Sequence, residues 1–310
     1  MTKKINRRSF MKRSAAIGAV SLFSRSILSA LSFPRKSVDI SVVKGDDYLT
    51  ITKKAIEILG GMEKFVKPGS KVAILANPQR NNPGSFTKPQ VLQGAIQLCK
   101  ESGAKEVTCL SLLPEANWES TGLKKVIEKE NVNLKIIDRR DESMFTTVPI
   151  PKGKALKEAR IMNAYFDYDV FLDIPVTKDH AGNKFTGTMK NLMGINSSNS
   201  NRTFHKENWT TDINAIEHLD QCIADLNTVA KPDLCIVDAT EFITTNGPFG
   251  PGELLKPQKV VAGTDRVAID SYCCTLWGLE AKDIIMINKA YEHGLGEMDL
   301  DKVNISEVQI

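Results

Sequence analysis

Lys71-Val72-Ala73-Ile74-Leu75, Pro89-Gln90-Val91-Leu92-Gln93-Gly94-Ala95-Ile96-Gln97-Leu98-Cys99 and Glu106-Val107-Thr108-Cys109-Leu110 decide the fold of this chain. The first run is short and continuously apolar, and it stops at Asn77-Pro78. The second has apolar residues at 91, 92, 95, 96, 98 and 99, one face of a helix, and closes before Gly103. The third is again strand-like. Strand, helix and strand at this spacing favour a parallel βαβ unit with a right-handed crossover.

The same style extends in both directions. Further strands are expected over 38–43, 134–137, 168–174, 234–238, 259–262 and 303–310. Helices are expected over 49–59, 122–130, 208–228, 264–277 and 281–293. The fold class is therefore α/β: a mostly parallel sheet flanked by helices. A division into two lobes would fall near 150–160, around Pro149, Pro151 and Gly153. Two segments rich in Gly, Asn and Pro, 179–202 and 244–257, are bounded by strong element signals and read as functional loops rather than linkers. Ligands of open α/β sheets gather beyond the carboxyl ends of the strands. Asn77-Pro78-Gln79-Arg80, Pro175-Val176-Thr177-Lys178-Asp179-His180 and Asp238-Ala239-Thr240-Glu241 all follow expected strands, so a parallel sheet places them on one rim.

The N-terminus carries a different message. Asn6-Arg7-Arg8-Ser9-Phe10-Met11-Lys12, a short apolar run over 15–23 and small residues around Ser29-Ala30-Leu31-Ser32 resemble a twin-arginine signal. Cleavage near Ser32 is expected, with the twin-arginine translocase as partner during export and a periplasmic or extracellular destination. Residues 1–32 hold seven of the 41 Lys and Arg and none of the 37 Asp and Glu, which leaves 34 basic against 37 acidic side chains in the remainder. The basicity belongs to the leader, so nucleic acid is excluded as a partner. No later stretch approaches the roughly 20 apolar residues of a spanning helix, so no membrane span is expected in the mature chain. The six cysteines form no Cys-x-x-Cys pair, and no iron–sulfur cluster is expected on this chain.

The densest polar stretch runs from Thr177 to Gly194. His180, Lys178 and Lys190 there supply a proton carrier, a cationic anchor and an amine whose basicity burial would lower, and they are the catalytic candidates. Thr186, Gly187 and Asn191 are ligand-binding candidates, and a helix opening at Gly187 would offer free N–H groups to an anion. Asn77, Asp238, Asn246 and Gly247 complete that set: the first two end strands, and the last two lie in a Gly- and Pro-rich wall that matches no nucleotide-binding motif. His205 is the candidate metal ligand, with His180 and Asp238 as its nearest partners in chemistry. Asp265 reads as a helix cap, while Asp270, one turn in, reads as a partner for a cation or as a surface group.

Together, Leu172-Asp173-Ile174-Pro175-Val176-Thr177-Lys178-Asp179-His180, Thr186-Gly187-Thr188-Met189-Lys190-Asn191-Leu192-Met193-Gly194, Asn246-Gly247-Pro248 and Thr264-Asp265-Arg266-Val267-Ala268-Ile269-Asp270 resemble the family called domain of unknown function 362. Members are often twin-arginine exported, and some carry an added ferredoxin module, for which this chain lacks the cysteines. Where the family tends to have Lys-Pro-Asn after its early strand, Ala76-Asn77-Pro78 stands here. His180, ten residues before Lys190 in a Gly-Thr-x-Lys turn, is more distantly similar to nickel-pincer lactate racemases, whose turn is usually Gly-Gly-x-Lys. That likeness implies Lys190 as a cofactor tether, His180 as a proton-transfer group and His205 as a metal-side ligand. Two functions fit: a metal- or cofactor-dependent racemase, isomerase or redox enzyme acting on a small anionic ligand, or a non-catalytic ligand-binding or iron–sulfur-associated redox accessory protein. The leader makes the first prediction. Replacing Arg7 and Arg8 by lysine is expected to abolish export, read by cell fractionation; unchanged export would defeat it.

Overall fold

The computed structural model describes residues 38–310; the stretch over 1–32 that reads as a twin-arginine leader lies outside the described residues. In chain order the strands are β1 (Ile40–Lys44), β2 (Lys71–Ala76), β3 (Glu106–Ser111), β4 (Asn133–Ile136), β5 (Phe145–Pro149), β6 (Glu158–Met162), β7 (Val170–Ile174), β8 (Leu234–Ala239), β9 (Phe242–Ile243), β10 (Leu254–Leu255), β11 (Lys259–Gly263) and β12 (Ile305–Gln309). Eight of them form one sheet in the order β12-β1-β11-β8-β7-β2-β3-β4. All neighbours in it are parallel except at β11, which opposes both β1 and β8. A parallel return usually runs through a crossover helix. Between β8 and β11 the chain forms no helix, only the small β9–β10 hairpin, and it comes back antiparallel beside itself.

Alternation along the strands separates two cores. In β2, Val72, Ile74 and Ala76 join the cluster under helices Tyr48–Ile58, Pro89–Glu101 and Leu123–Glu130. Ala73 and Leu75 face the opposite cluster, under helices Ile213–Asn227, Arg266–Thr275 and Ile285–Glu292. β8 divides the same way, with Leu234 and Ile236 on one face and Cys235, Val237 and Ala239 on the other. The sheet is thus covered on both sides, as a largely parallel sheet must be. All six cysteines are buried within these layers. No helix among the described residues is long and apolar enough to cross a membrane.

Three boundaries differ from the sequence reading. The helix expected over 208–228 begins only at Ile213, because Asn208 has φ +57° and Asp212 caps the helix by accepting from Asn214 N–H at 2.9 Å. The helix expected over 281–293 breaks at Ile284, whose backbone is extended, into a short 3₁₀ turn and helix Ile285–Glu292. The segment at 150–160 is the connection of an antiparallel β5–β6 hairpin, which the sequence reading missed. The eight-stranded sheet draws strands from both sides of it. The hairpin is tethered by Asp225, whose carboxylate accepts from Ala155 and Leu156 N–H at 2.7 and 2.8 Å and from His293 at 2.7 Å.

Candidate functional site

β2, β7 and β8 end on one rim, and the loops leaving them interlock. After Ile174 the chain continues far enough for Val176 to pair with Asp238 and for Thr177 N–H to donate to Asp238 O. Lys178 and Thr186 then pair antiparallel, so that the segment between them, which carries His180, forms a closed loop. The Gly- and Pro-rich wall is fastened to it. Gly247 N–H donates to Asp179 Oδ2 at 2.7 Å, and a Cβ on Gly247 would lie 1.8 Å from Asp179 O, so only glycine fits this approach. Asn246 donates instead to Pro251 O within its own loop.

Helix Thr188–Asn191 presents Lys190 and Asn191. Its first N–H groups are not free for a ligand, contrary to the sequence expectation. Asp270 takes them: Oδ1 accepts from Thr188 N–H at 2.7 Å and from Thr188 Oγ1 at 3.0 Å, and Oδ2 accepts from Met189 N–H at 3.1 Å. Asp270 is fully buried, not a surface group. Gly187 serves the same contact, since a Cβ there would meet Asp270 Oδ1 at 2.2 Å. A polar chain crosses the strand ends beneath. Lys178 Nζ donates to Asn77 Oδ1 (3.3 Å), Asn77 to Asn191 Oδ1 (3.0 Å) and Asn191 to Asp173 Oδ1 (2.7 Å). Lys178 Nζ also donates to Gln79 Oε1 and Ser85 O, at 3.0 and 2.5 Å.

Over this floor opens a cavity of about 730 Å³. Of the sequence candidates, His180, Lys190, Asn77, Thr186, Asn191 and His205 line it. Lys178, Gly187, Asp238, Asn246 and Gly247 do not. Asp238 is fully buried, and its carboxylate accepts from Lys88 N–H at 2.6 Å and from Thr240 N–H and Oγ1 at 2.9 and 2.6 Å. Lys178 acts on the cavity from behind, by orienting the Asn77 and Gln79 amides and by the effect of its charge on His180. The sequence reading missed Gln79, Asn201, Arg139, Arg140 and Arg202, which also line the cavity. The signal for two of them was present: Arg139-Arg140 follows an expected strand, as the noted loops do. No Asp or Glu is among the lining residues.

Burial dominates the proton affinities of these groups. Burial lowers Lys190 from its ordinary range, and Asp220 opposes the shift. Asp220 in turn is raised by burial. The two are linked through one amide: Lys190 Nζ donates to Asn183 Oδ1 at 3.1 Å, and Asn183 Nδ2 donates to Asp220 Oδ1. Burial, and then the Lys190 charge, drives His180 far below its ordinary value. Burial also lowers His205. In both imidazoles Nδ1 sits against a carbonyl, Ala181 O at 2.7 Å and Asn201 O at 2.8 Å, which fixes the tautomer with the lone pair on Nε2. Trp209 lies between the rings, 5.5 Å from His180 and 4.9 Å from His205 by centroids.

Among the described residues no group of three His, Cys, Asp or Glu side chains could hold a metal ion, and Asp238 is engaged away from both histidines. Two Nε2 lone pairs and the Lys190 amine do suit a metal that arrives with its own cofactor ligands.

A family model described as domain of unknown function (DUF362) matches residues 71–275. A thylakoid-associated protein of Synechocystis sp. is 26% identical over 185 residues, which cover 54% of this chain and 54% of that protein. The chain thus spans about half the length of this curated relative. Among solved structures, the lactate racemase apoprotein from Thermoanaerobacterium thermosaccharolyticum aligns with a TM-score of 0.44 at 15% identity, over 78% of this chain and 60% of that one.

The buried Lys178 makes a pH prediction. Burial, and then the like charge of Lys190, brings its ammonium down to about 7 from 10.5. Between those values the unfolded chain holds a proton that the folded chain lacks, so this contribution to stability rises with pH across that window. It is fully present above the unfolded value and lost as pH falls to about 7. The unfolding midpoint of the native protein is expected to climb relative to Lys178→Met between pH 7 and pH 9.5. Parallel curves would contradict a lowered Lys178.

Proposed function

The chain belongs to the domain of unknown function 362 family, and from its own cavity we propose that it binds a small anionic ligand, such as a hydroxy acid, and moves a proton on it. The observation that carries this reading is that Lys190, His180 and His205 face a cavity with no carboxylate among its lining residues. Unpartnered buried oxygens of Thr186 and Asn201 add hydrogen-bonding capacity to the same walls. A bound anion would place negative charge beside bases whose proton affinity burial has lowered, and so raise it. His180, neutral and with Nε2 free, would then accept a proton from the ligand. Lys190 would hold the anion, oriented by Asn183 and steadied by the charge of Asp220 behind it. If a metal cofactor is carried on Lys190, as the racemase likeness implies, His205 would face the metal, and the group would supply an acceptor for electrons from the ligand. The paired-arginine leader supports the further proposal that the protein works outside the cytoplasm after twin-arginine export.

Protein purified from its native host tests this reading with L-lactate and L-malate. Titration at pH 8 in buffers of different ionisation heat is expected to show proton uptake on binding. NMR in D₂O is expected to show exchange of the α-proton, slowed about 10²–10⁴-fold in His180→Gln. Binding without exchange would leave a ligand-binding protein and refute the enzymatic reading. No binding of either acid would refute both.

A further inference from the structure

The cavity has two unlike ends. Its floor is buried, with His180 7% exposed and Lys190 and Asn191 each 8% exposed. Its outer wall holds Arg139 and Arg140, from the turn after β4, and Arg202, from helix Ser198–Phe204; all three are exposed. Two distant segments are held together to build that wall. Ser198 N–H donates to Arg139 O at 2.8 Å, which docks the start of the helix on the arginine turn. The turn itself is shaped by Asp138, whose Oδ1 accepts from Arg140 N–H at 2.9 Å.

Among the described residues none of these guanidinium groups forms an ion pair. Among the described residues the arginine that forms an ion pair is Arg160, with Glu142, outside the cavity. Three like charges at one concave mouth repel one another, and the lining offers no carboxylate to relieve them. Guanidinium is the side chain best matched to a tetrahedral oxyanion, because its planar fork donates two parallel hydrogen bonds to a pair of oxygens. Size points the same way. A volume of about 730 Å³ lies in the upper part of the roughly 300–1,000 Å³ range of small-molecule sites. A three-carbon acid seated on the floor would leave the mouth unfilled.

We propose that the ligand is a phosphorylated small acid, with its phosphate monoester held at the mouth by Arg139, Arg140 and Arg202 and its acid end on the floor against Lys190 and His180. This rests on the anion reading above and names the class of ligand for that site. The arginines bind and orient; the chemistry stays at the floor.

Calorimetric titration of the whole protein with 3-phosphoglycerate, glycerate and malate at one fixed salt concentration tests it. Phosphoglycerate is expected to bind roughly tenfold or more tightly than glycerate, because charge-assisted hydrogen bonds are about twice as strong as neutral ones and three donors converge. The triple variant R139Q/R140Q/R202Q should bring phosphoglycerate to the level of glycerate, whereas glycerate should weaken by only about two- to threefold, from the loss of nearby positive charge. Because the three side chains are exposed, the variant should keep the fold, which circular dichroism would check. Equal affinity for phosphoglycerate and glycerate, or an advantage that survives in the triple variant, would overturn the phosphate subsite while leaving the floor reading intact. Malate binding more tightly than phosphoglycerate would replace the phosphate with a second carboxylate. Failure of all three acids to bind the folded protein would bring down the anion reading as well.

Discussion

One buried carboxylate organises the floor of the cavity. Asp270, inside helix Arg266–Thr275, closes the first turn of helix Thr188–Asn191 by accepting from Thr188 and Met189. Burial pushes its carboxyl up to about 7 even against those donors, so the contact holds a titrating group in the dry interior. Gly187 leaves room for that carboxylate, and nothing larger would. Lys190 and Asn191 are carried by this single turn. Asn191 then joins Asp173 on β7 and Asn77 at the end of β2, so the cap in one layer fixes the polar chain that runs across the strand ends.

The electrostatics follow from where the acids are placed. Asp173, Asp238 and Asp270 are all fully buried and each faces a donor inside the protein, so these acids stand behind the cavity wall rather than on it. Asp220 stands behind Asn183, near enough to steady Lys190 and not close enough to form an ion pair with it. The cavity therefore presents bases on its floor and arginines at its mouth. A chain whose residues 33–310 carry 34 basic against 37 acidic side chains can in this way hold one strongly basic recess.

Much of this was legible from the chain itself. The strands were recoverable because buried parallel strands are rich in continuous apolar runs: β2 and β8 each show one, and β7 is broken only at Asp173. Their shared direction brought Asn77 and His180 to one rim without any knowledge of contacts. Three things were not legible. β5 and β6 alternate too weakly, with Thr146, Thr147 and Arg160 along them, to signal a hairpin. Asp238 looks like a site residue because it ends a buried strand, yet Thr240, two residues on, and Lys88, 150 residues away, donate to it; a sequence shows the cost of burying a carboxylate but not who offsets it. The place of Asp270 was hidden for the same reason: its partners lie 82 and 81 residues away in the chain, at a turn whose need for a cap only folding reveals. Arg202 was invisible because its role depends on a helix that docks on the turn after β4.

The central claim is that Asp270 sets the position of the basic floor although it does not line the cavity. The affinity of L-lactate for Asp270→Asn and for Gly187→Ala, each checked for retained fold by circular dichroism, tests it most directly. Both variants are predicted to bind roughly tenfold or more weakly, since each removes or displaces charge-assisted hydrogen bonds that hold Lys190 in place. Native affinity in two folded variants would contradict the account.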